Sequence, residues 1–269
     1  MTATRRQTLS WVTLLGLGLG LGLVPGRPQA QVVDLNDAIN KAGRQRMLSQ
    51  RLAKCYMALG QGVQPDFASR LMADSMALFD RQLVELKAFA PNPDIKQTYG
   101  QLEGAWSDYK GALVGVQPSR SGGSEIVKQA ASVLLLAHQG TVQLEAVSGK
   151  PLGKLVNIAG RQRMLSQRMA AFYLGGSWGV QPATAAAEIG KARSEFLQAH
   201  EQLKAAPEVT PGIKAELLLA EQQWVFFDQG LRTLQAGASA PRLMTDVFTS
   251  SERILQVMDK ITGLYARVA

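Results

Sequence analysis

The chain has 269 residues, of which 46% are hydrophobic and 6% aromatic, and a formal net charge of +8. This apolar content excludes a disordered chain and can fill one large core or two of ordinary size. The single cysteine excludes an intrachain disulfide. Because Ala, Leu, Gln, Met and Arg lose little rotamer freedom in a helix, a chain rich in them favours an all-α fold.

The first 30 residues have the pattern of an export signal. Arg5 and Arg6 precede an apolar run over residues 11–24, and a polar segment ends at Ala30. The run is short for a membrane span, and its many glycines after paired arginines favour the twin-arginine export route. The general export route and an uncleaved anchor are the alternatives, and we expect the folded part of the chain in the periplasm.

The charge that remains after this segment is modest. The segment carries three arginines and no acidic residue, so the rest of the chain has 26 basic and 21 acidic residues. Such a balance suits a small anion, an acidic partner protein or an anionic membrane surface, and it does not indicate nucleic-acid binding.

The chain contains an internal repeat. Residues 42–51, Ala-Gly-Arg-Gln-Arg-Met-Leu-Ser-Gln-Arg, recur without change at residues 159–168. Aromatic residues beyond the repeated segment match in the same order: Tyr56 with Tyr173, Phe79 with Phe196, and Trp106 with Trp224. The repeated unit is therefore a whole domain.

Proline and glycine clusters divide each copy into four helical segments of about twenty residues. Short loops between the segments force neighbouring helices to run antiparallel. The sequence therefore predicts two tandem antiparallel four-helix bundles with up-down topology, over residues 31–148 and 153–269. Glycine and proline at residues 148–153 would interrupt a helix and separate the copies.

The first helix of each copy has two distinct faces. Leu48 and Leu52 begin a stripe that continues through residues 55 and 59 and is typical of a bundle core. Gly43, Arg46 and Gln50 lie on a second stripe. Glycine in mid-helix costs about 1 kcal/mol relative to alanine, so its presence indicates the close approach of a ligand or another backbone.

Six arginines lie in the two repeated segments, and neither segment contains a carboxylate. Four of them are expected on a solvated face or paired with carboxylates on other helices: Arg44, Arg51, Arg161 and Arg168. For Arg46 and Arg163 we favour partial burial, because each lies beside a glycine and a glutamine. A planar anion can satisfy the donor fork of such a guanidinium.

These residues resemble a known family. Residues 39–43, followed by Arg46, Met47, Ser49 and Arg51, are similar to the first-helix signature of PilJ-type, NarX-like sensor domains. Those domains form the periplasmic parts of nitrate and nitrite sensor kinases and of a type IV pilus chemoreceptor family. Both copies carry the signature, so the resemblance spans nearly the whole chain after the export signal.

The resemblance implies a ligand site at the signature helices. In nitrate-sensing members, one arginine from each first helix of a dimer grips a single nitrate, and the matching residues here are Arg46 and Arg163. Because both lie in one chain, we predict an intramolecular pseudo-dimer around one anion, nitrate or nitrite, while a further homodimer stays open. The predicted flanking residues are Gly43, Gly160, Gln50 and Gln167.

The sequence also departs from that family. The sequence as far as Ala269 contains no second membrane helix, kinase or methyl-accepting pattern, so we expect the chain to need a partner such as a membrane sensor or transport protein. The alternative hypothesis is an adaptor whose signature helices pack on a receptor or another PilJ-type domain. We expect no enzyme and no cofactor, because His138 and His200 are isolated and no phosphate loop or metal-ligand spacing occurs.

Overall fold

The computed structural model describes residues 31–268 except 116, 236 and 238. These residues form eight α-helices and no strand, which confirms the all-α prediction. The helices are α1 (Leu35–Gly60), α2 (Pro65–Phe89), α3 (Pro93–Val114), α4 (Arg120–Ser148), α5 (Pro151–Trp178), α6 (Pro182–Ala205), α7 (Pro211–Leu231) and α8 (Pro241–Tyr265). The predicted export signal at residues 1–30 lies outside the described residues.

Proline and short polar side chains determine where the helices begin. Six helices have proline in the first turn, where its missing N–H needs no acceptor. The other two, α1 and α4, begin after Asp34 and Ser119, whose side chains accept a hydrogen bond from the first turn. Gly149, in the left-handed conformation, ends α4, and α5 begins at Pro151. The two copies are therefore separated by only two residues.

Each copy forms one four-helix bundle. In the first copy α1 packs against α2 and α4, and α3 packs against α4 and α2. The second copy repeats the arrangement with α5 against α6 and α8, and α7 against α8 and α6. The predicted pair of up-down bundles is confirmed.

The two bundles are joined along their first helices. The contact between α1 and α5 is the most extensive of any helix pair among the described residues. The two helices run parallel, since Gly43 lies opposite Gly160 near one end and Gly60 lies against Trp178 near the other. Residues from Gln31 onward form one compact unit. Because α1 and α5 lie at its centre, both stripes of the signature helix are buried.

Matching hydrogen bonds fix how the last helices of the two copies correspond. Gln50 Nε2 donates to the carbonyl oxygen of Ala130 on α4 at 3.3 Å. Gln167 Nε2 donates in the same way to Ser251 on α8 at 2.9 Å. Ala130 and Ser251 therefore hold equivalent places, and this register relates residues 120–144 of α4 to residues 241–265 of α8.

Candidate anion site between the first helices

The two arginines singled out from the sequence meet at the seam between α1 and α5. Both side chains are fully buried. A Cβ placed on Gly43 would lie 3.2 Å from Arg46 Nη2, 3.3 Å from Arg163 Nη2 and 3.7 Å from the Cα of Gly160. Both guanidinium groups thus reach one point, and the missing side chains at the two glycines leave room for them. The structure brings together four of the six predicted site residues.

Each arginine crosses the seam to the opposite helix. Arg46 Nη2 donates to the carbonyl oxygen of Asn157 at 3.2 Å, and Arg163 Nη2 donates to that of Asn40 at 3.0 Å. The Nε of both arginines is buried without a hydrogen-bond partner among the described residues. Each guanidinium therefore keeps one unmet donor. A buried donor without an acceptor costs about 1–3 kcal/mol.

Burial weakens the hold of both guanidiniums on their protons. Burial, followed by repulsion from Arg161 and Arg163, lowers the pKa of Arg46 to about 9. Burial also lowers the pKa of Arg163 to about 10, although Asp259 acts in the opposite direction. An anion bound between the two arginines would oppose both shifts, because it favours the charged form.

The two arginines differ in the side chain that their Nη1 atom contacts. Arg163 Nη1 donates to Asp259 Oδ1 at 2.5 Å, and Arg44 shares that oxygen at 2.9 Å. The place of Asp259 is taken in the first copy by His138, whose Nδ1 lies 3.2 Å from Arg46 Nη1. Among the described residues Arg46 has no carboxylate within 4.0 Å. The seam therefore buries two guanidiniums beside a single carboxylate.

The surroundings keep His138 neutral and Asp259 charged. Burial, together with repulsion from Arg46, lowers the pKa of His138 to about 4. Partial burial would raise the pKa of Asp259, but Arg163 and Arg44 outweigh it and lower that pKa to about 2. A neutral histidine can accept a hydrogen bond from Arg46 but does not cancel its charge.

The two glutamines predicted to flank the arginines are buried, and their amides bind the last helices. Gln50 donates to α4 and Gln167 to α8 through Nε2. Gln50 Oε1 also accepts from Arg168 Nη1 at 3.3 Å. The glutamines tie each signature helix to the last helix of its own copy.

The other four signature arginines pair with carboxylates, as one of the two sequence interpretations expected. The pairs are Arg44 with Asp259, Arg51 with Glu252, Arg161 with Glu195, and Arg168 with Glu188. Each carboxylate belongs to a helix other than the arginine's own. Among the six, Arg46 is distinguished by facing a histidine.

Sequence reasoning missed the residues that make the two halves of the seam different. His138 and Asp259 lie on α4 and α8, where the copies have diverged. Glu252 on α8 forms a buried ion pair with Lys54 on α1, which sequence reasoning also missed. The signal was present in the topology, because an up-down bundle places its last helix beside its first.

Two further findings bear on the class of protein. No helix within residues 31–268 is long and apolar enough to cross a membrane. Over the same described residues, no three side chains of His, Cys, Asp or Glu cluster so that they could hold a metal ion.

Comparison with known proteins gives one match. The family model described as "Type IV pili methyl-accepting chemotaxis transducer N-term", named PilJ, matches residues 30–138 and again residues 148–247. The two matches follow the two bundles, and the second ends within α8. No curated protein and no solved structure matches the chain.

Proposed function

Because the chain belongs to the PilJ family of type IV pili methyl-accepting chemotaxis transducer N-terminal domains, we propose that it is an exported sensory protein binding one small anion. The preferred ligands are nitrate and nitrite, held between α1 and α5. The family match supports a sensory domain of periplasmic type. The choice of nitrate and nitrite follows from the resemblance of the signature helices to those of nitrate-sensing domains, and the buried arginine pair is compatible with a planar anion.

The observation that carries the proposal is the meeting of two fully buried guanidiniums beside one carboxylate. A planar anion matches the donor fork of arginine, and hydrogen bonds of this charged kind contribute roughly 1.5–3 kcal/mol each. Binding would also supply the negative charge that Arg46 lacks. A small anion suits this place better than a large one, because Gly43 and Gly160 bring the backbones close together.

An anion in the seam would bridge the two bundles. Arg46 belongs to α1 and Arg163 to α5, so the bound anion favours one spacing of these two helices over others. A partner protein, such as a membrane sensor or a transport protein, would then respond to the shifted arrangement.

Burial of the signature helices favours this function over the adaptor hypothesis. An adaptor of the kind described would present the signature residues outward, whereas Arg46, Arg163, Gln50 and Gln167 are covered. The faces of α1 and α5 that carry them contact each other or the last helices.

Isothermal titration calorimetry tests the proposal. Titrating the chain without residues 1–30 with nitrate, nitrite, chloride and sulfate should show saturable nitrate or nitrite binding near one per chain. Arg46→Lys keeps the charge but removes the planar fork, so affinity should fall by about tenfold or more. The matched control, Arg70→Lys, changes an exposed arginine and should bind like the parent.

The proposal fails if none of the four anions gives heat, or if Arg46→Lys keeps the full affinity. Thermal unfolding of both variants establishes that they are folded. A loss of binding shared by the Arg70→Lys control would also contradict the assigned site.

A further inference from the structure

The two sides of the α1–α5 seam are built differently. On the side where α1, α2, α5 and α8 meet, large side chains fill the space. Phe67 packs edge-on against Phe248 with ring centres 5.9 Å apart, and Lys54 Nζ lies 4.5 Å from the centre of the Phe248 ring. Glu252 pairs with Lys54 and with Arg51. This side is closed by two aromatic rings and a buried ion pair.

Four of the equivalent positions on the other side carry smaller residues. The correspondence follows from the repeated segments, from the shared left-handed Gln64 and Gln181 before α2 and α6, and from the register of α4 with α8. By this correspondence Ala171 replaces Lys54, Thr184 replaces Phe67, Val127 replaces Phe248, and Ala131 replaces Glu252. All four line an open groove of about 210 Å³ where α1, α4, α5 and α6 meet.

The groove contains one charge of each sign. Arg168, the equivalent of Arg51, donates through Nη2 to Glu188 at 2.7 Å and through Nη1 to Gln50 at 3.3 Å. Its Nε makes no hydrogen bond among the described residues, whereas Arg51 uses Nε to bind the carboxylate of Glu252 at 3.1 Å. The groove thus keeps the arginine and has lost the carboxylate that its counterpart binds.

Most of the remaining wall of the groove is apolar, with Gln50, Gln181 and Thr184 as its uncharged polar residues. Met57, Val127, Ala171 and Phe172 line it together with the ion pair. Its volume is below the roughly 300–1,000 Å³ of pockets for drug-sized ligands, so the occupant is a small molecule. On the filled side, the same space holds a carboxylate, an ammonium group and aromatic rings. A ligand that carries these groups would therefore be complementary to the groove.

We infer that this groove is a binding site for a zwitterionic amino acid with an apolar side chain, separate from the arginine pair in the seam. The ligand's carboxylate binds Arg168, its ammonium group binds Glu188, and its side chain lies against Val127, Ala171 and Phe172. A zwitterion can lie head-to-tail along an existing ion pair, so neither protein charge is left unmatched.

Calorimetry with matched ligands tests the inference on the chain without residues 1–30. L-phenylalanine and L-leucine are titrated beside 3-phenylpropionate, which lacks the ammonium group, and phenethylamine, which lacks the carboxylate. At least one amino acid should bind near one per chain. Both analogues should bind at least about tenfold more weakly than L-phenylalanine, because each lacks one of the two charged contacts and adds a net charge beside the ion pair of Arg168 and Glu188.

A double variant closes the groove by copying the filled side. Ala131→Glu with Ala171→Lys rebuilds the ion pair that Glu252 and Lys54 form and should abolish amino-acid binding. Ser132→Glu adds the same charge one position along, at an exposed residue, and should leave binding unchanged. Thermal unfolding shows whether the double variant is folded, and Val127→Phe, which fills the groove without charge, is the second variant.

Three results would overturn the inference: no heat with either amino acid, equal affinity for 3-phenylpropionate and L-phenylalanine, or unchanged binding in both groove-filling variants. None of these variants alters Arg46 or Arg163. Nitrate titration of the same proteins therefore separates a failure of the groove from a failure of the seam site.

Discussion

At Gly43 and Gly160 the absence of a side chain lets two charged groups share one buried place. Glycine in a helix interior costs about 0.5–1 kcal/mol relative to alanine. Both glycines carry this cost within the most extensive helix contact among the described residues, where the Nη2 atoms of Arg46 and Arg163 lie 3.2–3.5 Å from the positions that a Cβ would take. This close approach is a physical reason for glycine at the same position in both repeated segments.

Gly43→Ala tests that reason. The new Cβ would lie 3.2 and 3.3 Å from two guanidinium nitrogens and 3.7 Å from the opposite backbone. Overpacking should outweigh the gain in helix propensity and lower the free energy of unfolding by about 1–2 kcal/mol. Gly104→Ala is the matched control, because no atom lies within 4 Å of its Cβ position, and it should stabilise by about 0.5–1 kcal/mol. Urea unfolding measures both, and equal stabilisation by the two variants would contradict the close approach.

The sequence predicted the signature helices α1 and α5 better than it predicted the contacts they make with α4 and α8. The signature helices, their glycines and the burial of Arg46 and Arg163 followed from the repeated segments and from helical periodicity. The partners of those arginines did not, because identical side chains acquire them from α4 and α8, which have diverged. A periodic pattern on one helix shows which face is buried, but the residues of the facing helix decide whether the buried charge is neutralised.

His138 on α4 makes the stability of the chain depend on pH. Its pKa falls from an ordinary 6.5 to about 4 in the folded chain, so the unfolded chain binds more protons between these values. The stability that comes from keeping His138 neutral is therefore fully present above about pH 6.5, and it is lost as the pH falls toward 4. Because the side chain is half-buried, we expect this loss to be about 1–2 kcal/mol.

Urea unfolding at pH 7 and pH 4.5 measures the effect. His138→Gln should remove that part of the loss, because glutamine can accept from Arg46 without titrating. The pKa of His200 is also lowered by burial, so His200→Gln is the parallel variant. An identical pH dependence in the parent and in His138→Gln would show that His138 does not carry it.

At the scale of the whole molecule, joining two copies in one chain permits a division of labour that a homodimer cannot have. A two-fold homodimer must place the same residues on both sides of its seam. Here one side carries Asp259, Glu252 and two phenylalanines, while the other carries His138 and an open groove. Composition and periodicity predicted the two bundles, but the pairing of α1 with α5 was implied only by the family resemblance, and its parallel direction is seen only in the structure.

Residues 31–149 expressed alone would test the pseudo-dimer directly. This fragment contains α1 to α4 and exposes the face of α1 that α5 covers in the full chain, including Gly43 and Arg46. We expect it to form a two-fold dimer through α1, with two copies of Arg46 at the axis and no equivalent of Asp259. Since that axis would bury two positive charges without a carboxylate, nitrate should stabilise the dimer more than it stabilises the full chain.

Sedimentation equilibrium with and without nitrate measures the association, and circular dichroism shows that the fragment is folded. Arg46→Glu places opposite charge at the axis and should abolish the response to nitrate while leaving the helical content intact. A folded fragment that stays monomeric at every concentration, with nitrate and without it, would mean that α1 needs the particular surface of α5. The seam would then be a product of divergence between the copies and not a symmetric contact retained from a dimer.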